Sequence, residues 1–124
     1  MIIGQTIFPN TGPTGQLYYR TPWMPRNGDF GTFAIDLIDY HDSGGATGME
    51  LDVEIEHKNS EEADSAASTI GTAISISTGS FSTGTHSETS SGAKELVRYR
   101  FKLVGERAED WVHIRALNIS WGTN

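Results

Sequence analysis

Met49-Glu50-Leu51-Asp52-Val53-Glu54-Ile55-Glu56-His57-Lys58 alternates without a break. Met49, Leu51, Val53, Ile55 and His57 share one parity, and Glu50, Asp52, Glu54, Glu56 and Lys58 share the other. Successive side chains of an extended chain point to opposite faces, so this period of two marks a strand with one dry face and one wet face. The stretch Leu96 to Val104 repeats the pattern with the opposite charge: Val97, Tyr99, Phe101 and Leu103 on one side, Arg98, Arg100 and Lys102 on the other. Two readings of the charged rows stand side by side. Either the acidic and basic strands are antiparallel neighbours, each opposed pair adding a few tenths of a kcal/mol, or both rows are solvated faces that discourage edge pairing with other chains.

Further strands follow outward from these two. Gly31 to Tyr40, entered through the turn residues Arg26-Asn27-Gly28-Asp29, sets Phe33, Ile35 and Leu37 against Ala34, Asp36 and Ile38. Trp111 to Trp121 carries Val112, Ile114 and Ala116 on one parity but Leu117, Ile119 and Trp121 on the other. Its apolar phase therefore flips near Ala116-Leu117, as a β-bulge or a change of sheet would require. Gly4 to Phe8, Gln16 to Arg20 and Thr69 to Ser77 are shorter strand candidates. Helical character is confined to one turn around Ser60 to Ala67, where Ser60-Glu61-Glu62-Ala63 resembles a capped start. Ser65 to Ala93 is mostly Ser, Thr, Gly and Ala with Ile70, Ile74, Ile76 and Phe81 as apolar anchors, and in isolation reads in part as a disordered loop. The expected fold is all-β: an antiparallel β-sandwich of the jelly-roll type with at most one short helix. One domain over residues 1–124, with an N-terminal arm over about 1–26, is the expected organisation.

Composition bounds the function. A chain of 124 residues and 13.5 kDa fits one domain, which buries roughly two-thirds of its unfolded surface. Cysteine is absent, so neither disulfides nor thiolate metal sites support it, as suits folding in a reducing cytoplasm. Met1-Ile2-Ile3-Gly4 lacks the basic region of a secretion signal and no apolar run approaches a membrane span. With no such run a membrane is not an expected partner, and a net charge of −7 repels the phosphate backbone, so neither is nucleic acid.

Chemistry-bearing motifs are sparse. His41, His57, His86 and His113 show no zinc-type pair spacing. His57, on the apolar parity of its strand, reads as a core or rim histidine satisfied by a hydrogen bond rather than a ligand. Asp39-Tyr40-His41-Asp42-Ser43-Gly44-Gly45 lacks the alternating acids and closing Glu of a calcium loop. There is no Gly-x-Ser-x-Gly elbow and no phosphate cradle ending in Lys. The expectation is therefore no enzyme, no metal and no cofactor.

Tyr18-Tyr19-Arg20-Thr21-Pro22-Trp23-Met24-Pro25-Arg26 stands out. Tyr, Trp, Met and Arg are what protein interfaces concentrate, and stiff prolines lower the ordering cost of binding. Tyr18, Tyr19, Arg20, Trp23, Met24 and Arg26, with Trp121 near the C-terminus, are the candidate interface residues. The same aromatics would serve as a sugar-stacking platform, and Trp23 or Trp121 as a plug at the end of the sandwich.

Three segments together, Gly48 to Lys58 followed by Asn59-Ser60-Glu61-Glu62-Ala63-Asp64, then Lys94 to Phe101, then Trp111-Val112-His113-Ile114-Arg115 with Ser120-Trp121, resemble the small jelly-roll cement or decoration proteins of tailed bacteriophages. They span roughly the C-terminal two-thirds of the chain. The resemblance implies a non-enzymatic virion protein, made in the host cytoplasm, that binds the capsid exterior. Its partners would be the major capsid protein and copies of itself, as a homotrimer. A carbohydrate-binding β-sandwich module is the alternative expectation.

Overall fold

Antiparallel pairing of the two charged, half-apolar strands frames the molecule. The computed structural model describes residues 2–9, 18–42, 48–105 and 109–122, and within 2–9 the side chain of Ile7 alone. Among the described residues the chain forms strands β1 (Ile2–Pro9), β2 (Tyr18–Arg20), β3 (Met24–Pro25), β4 (Phe30–His41), β5 (Glu50–Lys58), β6 (Ser68–Ser77), β7 (Gly84–Ser91), β8 (Leu96–Val104), β9 (Trp111–Leu117) and β10 (Ser120–Gly122). β5 and β8 are neighbours, with Asp52 opposite Lys102, Glu54 opposite Arg100 and Glu56 opposite Arg98. Of the two readings of the charged rows, adjacency is the correct one.

One sheet runs β1-β9-β4, with β10 and β7 also on β4; the other runs β2-β8-β5-β6, with β3 also on β8. β9 and β10 lie end to end along β4, against residues 35–41 and 30–32. Likewise β2 and β3 lie end to end along β8. Joining these interrupted strands leaves eight, paired first with last (β1·β9), second with seventh (β2/β3·β8), third with sixth (β4·β7) and fourth with fifth (β5·β6). That is one long hairpin wound on itself, the jelly roll.

The core lies between the sheets. Phe33, Ile35 and Leu37 of β4 and Val112, Ile114 and Ala116 of β9 meet Leu51, Val53 and Ile55 of β5 and Val97, Tyr99, Phe101 and Leu103 of β8, all buried. The phase flip near Ala116 is a bulge. Ile35 opposes Ala116 and Thr32 opposes Ser120, so two residues of β4 face three of its partner. The extra residue returns Ile119 and Trp121 to the core side. Gly31 makes room for them: a Cβ there would stand 3.0 Å from the Trp121 ring.

Three expectations change. The strand expected at Thr69 to Ser77 forms as β6, and the part of Ser65 to Ala93 that reads as a loop contributes β7, with Ile74, Ile76 and Phe81 buried. Backbone pairing of β7 to β4 supplies what its weak side-chain patterning could not announce. Gly71, at φ +75°, lets β6 approach β7, because a Cβ would meet the Ser90 side chain at 2.7 Å. Helical structure is a 3-10 turn at Asp64–Ala66, beginning later than the Ser60 cap suggested; Glu62 instead closes a tight turn by accepting the Asn59 N–H at 2.7 Å. Where described, the segment expected as an N-terminal arm is woven into both sheets as β1, β2 and β3.

Tyr99 ties the sheets together at the bulge. Its hydroxyl crosses from β8 to donate to the Leu117 carbonyl at 2.8 Å and lies 3.1 Å from the Ala34 carbonyl. It also accepts the Ala34 N–H at 3.1 Å. The bulge interrupts the ladder, and one phenol satisfies groups the ladder cannot. Tyr99→Phe keeps the ring and deletes the tie, leaving those groups unpaired in a dry interior; urea unfolding is expected to show a loss of about 1–3 kcal/mol. Burial pushes the Tyr99 phenol up to about 12 from an ordinary 10.0. The unfolded chain thus releases this proton first, and stability falls as pH climbs from 10 toward 12. Absorbance titration should show a phenolate that forms only with unfolding, and Tyr99→Phe should abolish it.

Candidate interaction faces

Two outward faces are available, and their chemistry differs. On the β2-β8-β5 sheet the inward parity is spent on the core, so β8 presents Arg98, Arg100 and Lys102 between the acids of β5 and the aromatic stretch of β2 and β3. Glu56 is the hub. Its Oε1 takes Arg20 Nε and Arg98 Nε, each at 3.0 Å, and Arg100 stands 3.9 Å from Oε2. Arg100 also pairs with Glu54. Arg20 and Arg100 are directly opposed like charges, a destabilising arrangement that the shared carboxylate offsets.

The aromatic rings are drawn into the same network. Arg98 lies 4.1 Å and Lys58 5.0 Å from the Trp23 ring centre. The Trp23 indole N–H donates to Asp64 at 3.0 Å, and Lys58 donates to the same carboxyl oxygen at 2.8 Å. Tyr18 carries Arg100 at 4.9 Å, Arg20 at 5.3 Å and Lys102 at 6.0 Å from its ring. Each such stack is worth about 0.5–1 kcal/mol when exposed. The hydrogen bond from Lys58, then that from Trp23, holds the Asp64 carboxyl below its ordinary 3.8. The Asn59 N–H, with Lys94 beside it, does the same for Glu62. His57 accepts the Lys94 N–H at Nδ1, 3.2 Å away, the hydrogen-bonded rim histidine its parity suggested. Burial, aided by the Lys94 charge and opposed by Glu62, lowers its pKa.

The structure disperses the seven candidate interface residues. Tyr18, Arg20 and Trp23 share the charged face, whereas Tyr19 and Met24 pack against the core. Arg26 is held at the rim, its guanidinium on the Ala93 carbonyl and its N–H on Glu95 O at 2.9 Å. Trp121 sits on the other sheet, half-buried against the core over Gly31.

The outward face of the β1-β9-β4 sheet carries a group that the sequence reading passed over. Asp39 opposes His113 and His41 opposes Trp111 on adjacent strands, and Ile7 of β1 opposes His113 from the other side. Opposed residues share a face with Cβ atoms about 5 Å apart. Ile7 is 57% exposed, the highest value among the described large apolar side chains. The signal was in the alternation itself: with Val112, Ile114 and Ala116 inward, Trp111 and His113 had to point out.

Among the described residues, no three His, Cys, Asp or Glu side chains gather in a metal-binding arrangement. Ser43 to Gly45 of the loop weighed for calcium lie outside the described residues; Asp42 within it binds the Thr78 hydroxyl and the Gly79 N–H. No helix of the described residues is long and apolar enough to cross a membrane. Comparison with protein-family models and with curated proteins finds no match.

Glu56→Ala strands three guanidinium groups around an empty position. With Glu56 and Arg98 side chains only 8% and 12% exposed, the expected loss in urea unfolding is about 3 kcal/mol, against no more than about 1 kcal/mol for Glu54→Ala on the more open Arg100 pair. Asp64 responds to acid. Its stabilisation is present above the ordinary 3.8 and is lost as pH falls through its lower folded value. Trp23 fluorescence, isolated by difference against Trp23→Phe, should hold steady through pH 4 and change below it.

Proposed function

We propose that this chain is a non-enzymatic structural protein of a virion, bound to the outside of a tailed-phage capsid and stabilising it. One observation carries the reading: the wound eight-strand pairing gives the jelly roll that the resemblance implies. The charge network of the β2-β8-β5 face supports it in kind, because its polar groups are spent on one another in a rigid surface rather than gathered around a reacting atom. A repeated lattice suits such a module: many weak, identical contacts add up through avidity without any new chemistry. In this reading the major capsid protein is the partner, and three copies surround each threefold position.

The test uses purified protein and expanded empty shells assembled from the major capsid protein of the phage that encodes it. Saturable co-sedimentation is expected, with shells that rupture at a higher temperature when decorated. Occupancy at a hundredfold excess over Kd stabilises the bound state by about 2.7 kcal/mol. Shells that pellet bare at micromolar protein would refute the proposal. Sedimentation velocity of the free protein, at 13.5 kDa per chain, separates a trimer from a monomer.

A further inference from the structure

We infer that the docking face is the outward side of the β1-β9-β4 sheet, centred on Trp111 and Ile7, and that it fits a protein patch with an apolar socket rimmed by Lys and Arg. This inference rests on the capsid reading and names the surface used.

On the opposite sheet the aromatic and ionic groups already hold each other. The Trp23 ring lies against Arg98, its N–H is on Asp64, and Arg20, Arg98 and Arg100 converge on Glu56. A partner binding there would have to displace those contacts before making its own, and only the surplus would appear as affinity. On the β1-β9-β4 face, half-buried Trp111 has no hydrogen bond, ring contact or cation over its ring among the described residues. The same holds for the imidazole of His41, opposite it. Asp39 uses one oxygen, Oδ1, on the Tyr40 N–H at 2.8 Å. Ile7, two positions along the neighbouring strand, is the most exposed of the described large apolar side chains. An uncommitted Trp beside an exposed Ile, with polar groups around them, is the composition of an interface hot spot.

Charge selects the occupant. Of the described basic side chains only Arg115 lies on this sheet, and it faces Asp36 at 3.6 Å. Asp39 and Glu109 are both exposed, and Glu109 stands two residues before Trp111. A second copy docked face to face would bring these acids against their own counterparts. A partner with Lys or Arg around an apolar socket gains from the same charges and is steered toward them.

The experiment measures Kd on the empty shells described above, for wild type, Trp111→Ala, Ile7→Ser, Asp39→Lys/Glu109→Lys and Tyr18→Ala, each checked for unchanged melting. Trp111→Ala is expected to weaken binding at least tenfold and Ile7→Ser severalfold. The double Lys variant should weaken binding and flatten its dependence on salt. Wild-type binding with Trp111→Ala as tight as wild type overturns the inference while leaving the capsid reading intact. So does weakening by Tyr18→Ala alone, or self-association of free protein that Trp111→Ala abolishes. Wild type that fails to bind shells overturns both.

Discussion

The antiparallel register of β5 against β8 is the constraint on which everything else rests. It does two jobs with one alignment: the odd residues Leu51, Val53 and Ile55 meet Val97, Tyr99, Phe101 and Leu103 in the core, while the even acids meet the even bases outside. A slip of one residue would turn the core side of a strand to water. The same slip would also move Glu56 from beside Arg98, so packing and charge reject it together. With this pair fixed in the centre of one sheet, β2/β3 and β6 are added at its sides, and the second sheet has an apolar floor on which to fold.

The second sheet is less regular, and Tyr99 absorbs the irregularity. Bulges lie where β4 and β9 shift register between Leu37 and Asp39, and again between Ala116 and Ser120. At the latter the ladder leaves backbone groups that apolar neighbours cannot satisfy, and the phenol of the facing strand reaches across the core to them. A tyrosine fits because its ring joins the packing, edge-on to Phe33 at 6.1 Å and stacked on Phe101 at 5.8 Å, while its tip carries the polar group.

How much was legible follows from how much each residue's neighbours decided. β4, β5, β8 and β9 declare themselves because alternating burial is written in residue type. The flip at Ala116 disclosed an irregularity there, and the register along β4 makes it a bulge rather than a change of sheet. β7 did not, because Gly84–Ser91 buries little beyond Ser90 and is a strand through its pairing with β4. The aromatic stretch Tyr18 to Arg26 was legible as unusual but not as self-occupied. Its composition suits an interface and an intramolecular cation–π stack equally, and only the placement of Arg98 over Trp23 distinguishes them. Trp111, which opens β9, was passed over although its parity already pointed outward.

The two faces are organised differently. Fixing Arg and Lys side chains in one geometry costs conformational entropy, which the β2-β8-β5 face offsets by sharing carboxylates and stacking guanidinium groups on rings. A surface organised in this way is stiff before any partner arrives. Among the described residues the β1-β9-β4 face carries fewer internal ties and more uncommitted groups, and β4 and β9 have their inward sides locked in the core. Rigidity from one sheet therefore reaches the other through packed side chains. A half-buried Trp and an exposed Ile held on such a support lose little freedom when covered, which is the condition under which a small surface can bind well.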